Sequence, residues 1–158
     1  MYEKIMVAVD GSASSKQALD EALKVALAFG AHVSAVYVVD KSVLFTYAGR
    51  FDPAALVDEI RDDGRKVLLD AERAIALAGA QGEGELVDTE SIGEDIAERL
   101  QRYVKEREID LAVVGTHGRR GIQRVLLGSV AERFMRGSTC PVLLIRGDDA
   151  AVPASAAA

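Results

Sequence analysis

The chain has 158 residues, 49% of them hydrophobic and 28% charged, with a formal net charge of −6. That length suits one domain able to bury roughly 70% of the surface its unfolded form exposes, and the acidic balance argues against coating a nucleic acid, which needs a basic face. No apolar run approaches the ~20 residues of a membrane span, and MYEKIMVAVD has no secretory pattern, so a cytoplasmic protein without membrane insertion is expected.

In chain order, KIMVAVD (Lys4 to Asp10) is an aliphatic run closed by an acid and reads as a buried strand. Ser12 is placed to cap a helix whose Ala18, Leu19, Ala22, Leu23, Ala26 and Leu27 recur at helical spacing until Gly30. HVSAVYVVD (His32 to Asp40) is a second strand, again ending on an acid. The connection from Lys41 to Phe51 carries three aromatics and either packs over the sheet or covers a pocket. Asp52-Pro53 opens a second helix through Leu56, Ile60, Val67, Ala71 and Ile75 toward Gly79.

GELVDTE (Gly84 to Glu90) is a more polar strand, suited to the outside of a sheet. Ile92, Ile96, Leu100 and Val104 trace a third helix, DLAVVGT (Asp110 to Thr116) is a buried strand, SVAERFMRG makes a short helix ending near Gly137, and PVLLIR (Pro141 to Arg146) is the last strand. Residues 148–158 read as a disordered tail behind one domain, 1–147. The single cysteine, Cys140, leaves no internal disulfide and reads as a small buried hydrophobe.

Five such strands alternating with helices argue for a doubly wound α/β domain: an open parallel sheet with helices on both faces. Ligands then sit outside the carboxyl ends of the strands, where strand order reverses. Asp10, Gly11 and Ser12, Val38 to Asp40, and the stretch from Gly115 fall there. GTHGRRGIQRVLLGS, Gly115 to Ser129, holds four glycines and three arginines. Gly115 and Gly118 permit a turn whose amides converge on an anion. Gly128 and Ser129 open a helix whose first amides and dipole favour negative charge, with the Ser129 hydroxyl as a further donor. Arg119, Arg120 and Arg124 are either phosphate ligands or solvated loop charges, and His117 reads as a loop residue. GxxxxGK[ST] is missing, so this is no P-loop hydrolase. DGSASS after the first strand lacks GxGxxG, and Asp10 stands without the neighbouring acids and distant lysine of a phosphate-receiving regulator.

Gly115, Gly118, Gly128 and Ser129 fill the pattern G, two residues, G, nine residues, G, Ser/Thr, and with KIMVAVDGS, VYVVD and CPVLLIR the chain resembles the ATP-binding subgroup of the universal stress protein family. The resemblance implies a Rossmann-like sheet of order 3-2-1-4-5, as in the adenine nucleotide alpha hydrolases, a homodimer through the last strand (Val142 to Arg146), and ATP, or AMP or ADP, with Mg²⁺. It places adenine on the backbone of Val38 and on Ala8 and Val9, and Asp10 near the phosphates and metal. Val114 and Gly115 would line the nucleoside. Gly118, Gly128, Ser129 and the amide of Val130 would hold phosphates, with Arg119 on the intervening loop and Ala131 alongside. The edge position of PVLLIR supports pairing on physical grounds, since an apolar outer strand leaves backbone groups unpaired. No pair of acids, or acid with histidine, is fixed for hydrolysis. The expectation is a stress-response regulatory module that changes what it offers a protein partner; a slow ATPase or phosphotransferase, and a nucleotide-free interaction protein, are the alternatives.

Overall fold

Runs rich in valine become strands closed on both faces: Ile5, Met6 and Val7 of one strand and Ala112 and Val113 of another have no exposed surface. The computed structural model describes residues 1–46, 49, 52–117 and 127–147. Its elements are β1 (Lys4–Ala8), α1 (Ala13–Phe29), β2 (His32–Val39), α2 (Val43–Thr46), α3 (Pro53–Ala78), β3 (Gln81–Asp88), α4 (Ile96–Arg107), β4 (Leu111–Gly115), α5 (Ser129–Gly137) and β5 (Val142–Ile145). All strand pairs are parallel, in the order β3-β2-β1-β4-β5. Ile5 aligns with Val33 on one side and Leu111 on the other, and Ala112 with Val142.

Alternation along the strands divides the core. Ile5, Val7, Val33, Ala35, Tyr37, Val39 and Val113 pack with α1 and α3 on one face. Met6, Val36, Val87, Ala112 and Val114 pack with α4 and α5 on the other. Each fully buried aliphatic side chain contributes roughly 1.5–3 kcal/mol over an exposed one, so two complete layers hold the sheet without a covalent staple.

Helix ends follow local chemistry. The Ser12 hydroxyl accepts from the Ser15 amide at 3.1 Å, Asp52 accepts from the Ala54 amide at 3.1 Å with Pro53 in the first turn, and Gly30 and Gly79 close α1 and α3 in left-handed conformation. The third predicted helix begins later than its hydrophobic spacing suggests. Asp95 caps α4 by accepting from Glu98 N at 2.8 Å while Glu98 accepts from Asp95 N at 3.0 Å, which leaves Ile92 exposed in the preceding loop. The third strand starts earlier, at Gln81, because glycine admits its neighbours: a Cβ on Gly82 would lie 2.3 Å from Val33 O. Within the connection after β2 there is also a short helix, α2, which hydrophobic spacing did not indicate.

Two features frame the ends of the sheet. With 26 residues α3 is about 39 Å long, against about 26 Å for the eight residues of β3. Its first fully buried residue is Gly64, so the turns before it stand beyond the carboxyl edge, with Leu56, Val57 and Ile60 half-buried. On the outer side of β3 the Gly84 amide donates to Glu72 Oε1 of α3 at 3.2 Å, which occupies that edge with a carboxylate.

At the amino edge, Asp110 fastens β1 beside β4. Its Oδ2 accepts from the amides of Glu3 and Lys4, each at 2.8 Å, and those two hydrogen bonds hold its carboxyl below the usual range. A depressed carboxylate pKa adds stability that is present above the unfolded value, near 4, and lost as pH falls through the folded one. Asp110→Asn is therefore expected to cost about 1 kcal/mol at pH 7, given the site's exposure to solvent. In thermal melts the gap between wild type and variant should close below about pH 4; a gap that persists there would refute this anchoring role.

Candidate functional site at the carboxyl edge

The first three strands each run into an aspartate, and each aspartate does something different. Asp10 turns the chain after β1: its Oδ1 accepts from Ser12 N at 2.8 Å and its own amide donates to Ser15 Oγ at 3.3 Å. Gly11 makes that turn at φ +84°, a conformation glycine adopts without strain. Asp40 accepts from Ser42 N at 2.9 Å and starts the turn into α2. Asp88 is an ion-pair acceptor, engaged by both guanidinium nitrogens of Arg61 and lying 3.5 Å from Lys41 Nζ.

Around β4 the chain is drawn tight. A Cβ on Gly115 would stand 2.2 Å from Ser14 Oγ and 2.9 Å from the Ser14 carbonyl carbon, so any other residue would push β4 away from the first turn of α1. Thr116 N donates to Ile145 O at 2.9 Å, and Gly147 follows β5 to the same place, where its Cβ would lie 3.2 Å from Ser14 Cβ. Gly128 N then donates to Thr116 O at 2.7 Å, which seats the start of α5 against the end of β4. A Cβ there would be 2.9 Å from that same oxygen. Gly128 is the N-cap, and among the described residues no side-chain hydrogen bond caps the first amides of α5.

The predicted residues distribute over this edge as follows. Ala8 ends β1 half-buried, Val9 is buried with its amide donating to Val36 O at 2.9 Å, and Val114 is buried beside Gly115. In a parallel pair, alternate residues turn both main-chain groups toward the same neighbour. Val36 faces β1, so Val38 does too, but Val38 lies past Ala8, the last paired residue of β1. Ser129 is the first residue of α5 and is exposed, as is Val130, whereas the Ala131 methyl is buried against the α4 layer and leaves only its amide near the helix start. Gly118, Arg119, Arg120 and Arg124 lie outside the described residues, as does the tail from Asp148. Among the described residues no group of three or more His, Cys, Asp or Glu side chains is arranged to hold a metal.

Sequence reasoning missed Ser14, Thr116 and the Lys41–Asp88–Arg61 cluster. The last had a signal: ELVD repeats the acid-terminated pattern of VAVD and YVVD. A cavity of about 200 Å³ lies at the amino edge, lined by His32, Ser34, Glu83, Glu85, Tyr103 and Arg107 among others. Its groups satisfy one another. Tyr103 Oη donates to Glu85 Oε1 at 2.6 Å, Arg107 to Glu85 Oε2 at 2.8 Å, and His32 Nε2 is 3.6 Å from Glu83. Burial, then the adjacent Glu85, push the Tyr103 phenol up and keep it neutral.

The profile of the universal stress protein family matches residues 1–146. Universal stress protein YxiE of Bacillus subtilis is 34% identical over 153 residues, spanning 92% of this chain and 100% of that protein. The crystal structure of a universal stress protein family member from Burkholderia pseudomallei is 42% identical, with a TM-score of 0.75 over 91% of this chain and 96% of that one. The universal stress protein from Archaeoglobus fulgidus in complex with dAMP is 25% identical, with a TM-score of 0.67 over 92% and 98%. Sheet order, near-complete coverage of the relatives and the match over residues 1–146 agree, and this chain belongs to the universal stress protein family.

Proposed function

We propose that the carboxyl edge binds an adenine nucleotide, ATP or its di- and monophosphate, and that the protein is a nucleotide-responsive regulatory module within one domain, residues 1–147. The observation that carries this reading is the start of α5 at Gly128–Ser129, tied at 2.7 Å to the end of β4 and without a side-chain cap among the described residues. Unsatisfied first-turn amides and the helix dipole favour an anion there. The main-chain N–H and C=O of Val38, turned past the end of β1, suit the edge of adenine, which offers a ring-nitrogen acceptor beside an amino donor. Ala8 and Val9 would flank the base, and Val114 and Gly115 the nucleoside. Gly118, Arg119, Gly128, Ser129 and the amides of Val130 and Ala131 would meet the phosphates. The relative solved with dAMP supports the choice of adenine. Asp10 is the acid suited to reach Mg²⁺, an ion that keeps several waters and takes its remaining oxygens from phosphates.

Hydrolysis is not part of this reading, because the sequence fixes no pair of acids, and no acid with a histidine, for it. Instead, bound nucleotide would order the glycine loop and the chain after β2 and thereby change the surface offered to a partner protein. A homodimer through β5 fits the same picture. All four β5 residues are only half-buried, and Val130 and Met135 of α5 are exposed nearby in sequence. A strand of a doubly wound sheet normally sits under cover on both faces.

The protein purified from cells and then denatured is expected to release an adenine nucleotide, and titration should show uptake of ATP or AMP below millimolar concentration. Ser129→Ala provides the internal check: Ser129 does not cap α5, so its melting temperature should stay put while nucleotide affinity drops about three- to tenfold. No uptake at millimolar nucleotide would end the proposal. Sedimentation at micromolar concentration should give twice the chain mass; a single-chain mass would remove the β5 pairing.

A further inference from the structure

Thr89 has no exposed surface, and its hydroxyl is turned onto the chain leaving β2. Its Oγ1 accepts from Lys41 N at 3.0 Å and donates to Val39 O at 3.4 Å, while Thr89 N donates to the same Val39 oxygen at 3.1 Å. The residue before it is anchored from both faces of the sheet. Arg61 of α3 takes the Asp88 carboxylate with two guanidinium nitrogens, and Arg99 Nε of α4 donates to the Asp88 carbonyl at 2.8 Å. Lys41 Nζ stands 3.5 Å from Asp88 Oδ2, so Lys41 meets the end of β3 through side chain and main chain alike.

This clamp acts on one side of β2 only. The strand stays in register with β3 as far as Val39, three residues past Val36, its last partner in β1. The Val39 C=O faces Thr89, and the main-chain groups of Val38 face the opposite way, past the end of β1. Because the peptide is planar and trans, the plane that aims Val39 C=O at Thr89 aims Asp40 N–H to the side of Val38. Val38 N–H, Val38 C=O and Asp40 N–H thus form a row of donor, acceptor and donor. We infer that Thr89 is the positioning residue for this row and thereby sets the choice of base. The inference rests on the nucleotide reading above and deepens it by naming what holds the base-reading main chain. Adenine offers such a row a ring-nitrogen acceptor beside an amino donor, whereas a 6-oxo purine reverses the pair to a donor beside an acceptor. A main chain held rigid rejects the reversed pair; one free to turn at Asp40 adapts to it.

The test titrates AMP and inosine monophosphate (IMP), which share sugar and phosphate and differ at the base edge, into wild type, Thr89→Val and Thr89→Ser by calorimetry. Wild type should favour AMP at least about tenfold. Thr89→Val keeps the shape of the side chain and removes the hydroxyl, so AMP should weaken about fivefold with IMP within about twofold, and the preference shrinks. Thr89→Ser restores the hydroxyl and should recover the preference to within about twofold. A merely structural role would weaken both ligands together and leave their ratio alone. Amide exchange reads the clamp without a variant: in nucleotide-free wild type, Lys41 N–H should exchange at least about tenfold more slowly than in an open chain. Exchange of Lys41 at the open-chain rate, equal binding of AMP and IMP by wild type, or an unchanged ratio in Thr89→Val overturns the inference. Wild type that takes up neither nucleotide defeats the nucleotide reading and this inference with it, a pattern distinct from a binding wild type whose variants keep its preference.

Discussion

A missing carbon at Gly115 lets the end of β4 lie against the first turn of α1, and the rest of the carboxyl edge is built on that contact. With Ser14 Oγ standing 2.2 Å from the place a Cβ would take, the approach tolerates hydrogen alone. Thr116 then reaches Ile145 of β5 and Gly128 of α5, while Gly147 closes on Ser14 from the other side. Three strand ends and two helix starts are thus gathered within a few residues of one serine. Amide groups and helix dipoles converge there because backbones can approach, not because charged side chains were recruited.

The opposite end of the sheet shows what happens when side chains do the work. Glu85 is taken up by Tyr103 and Arg107, Glu83 by His32, and Asp110 by two amides. These charges are spent on one another, and the amino edge serves to hold position. A ligand needs the reverse condition: polar groups aimed at one place with nothing of the protein in it. Main-chain donors at a glycine-lined opening can meet it without the cost of burying unpaired charge.

Much of this was legible beforehand, for identifiable reasons. Valine-rich runs ending on acids marked β1 and β2, and Ser12, Gly30, Asp52-Pro53 and Gly79 marked helix ends, since each residue acts on its own backbone. The glycine spacing from Gly115 to Ser129 pointed to the edge proposed here for the nucleotide. What failed was decided by competing contacts, one close by in sequence and the others far away. Ile92 carried the right spacing for α4 but lost to the Asp95–Glu98 cap, and β3 began early because Gly82 fits under Val33 of another strand. Ser14 looked like one more small residue in DGSASS; its importance exists only once β4 is laid beside it. Arg61 and Asp88, 27 residues apart, meet because α3 folds back over β3.

The Glu72 carboxylate on Gly84 N has a consequence for assembly. A parallel sheet has two rims, and on this one the β3 rim already holds an acceptor from its own helix, in the middle of its length. The β5 rim carries four aliphatic residues and, among the described residues, no such plug. If copies pair through β5 as proposed, the joined pair presents its sealed β3 rims outward, and edge-to-edge growth has a valence of one. Such an arrangement terminates at a closed pair and does not propagate into ribbons.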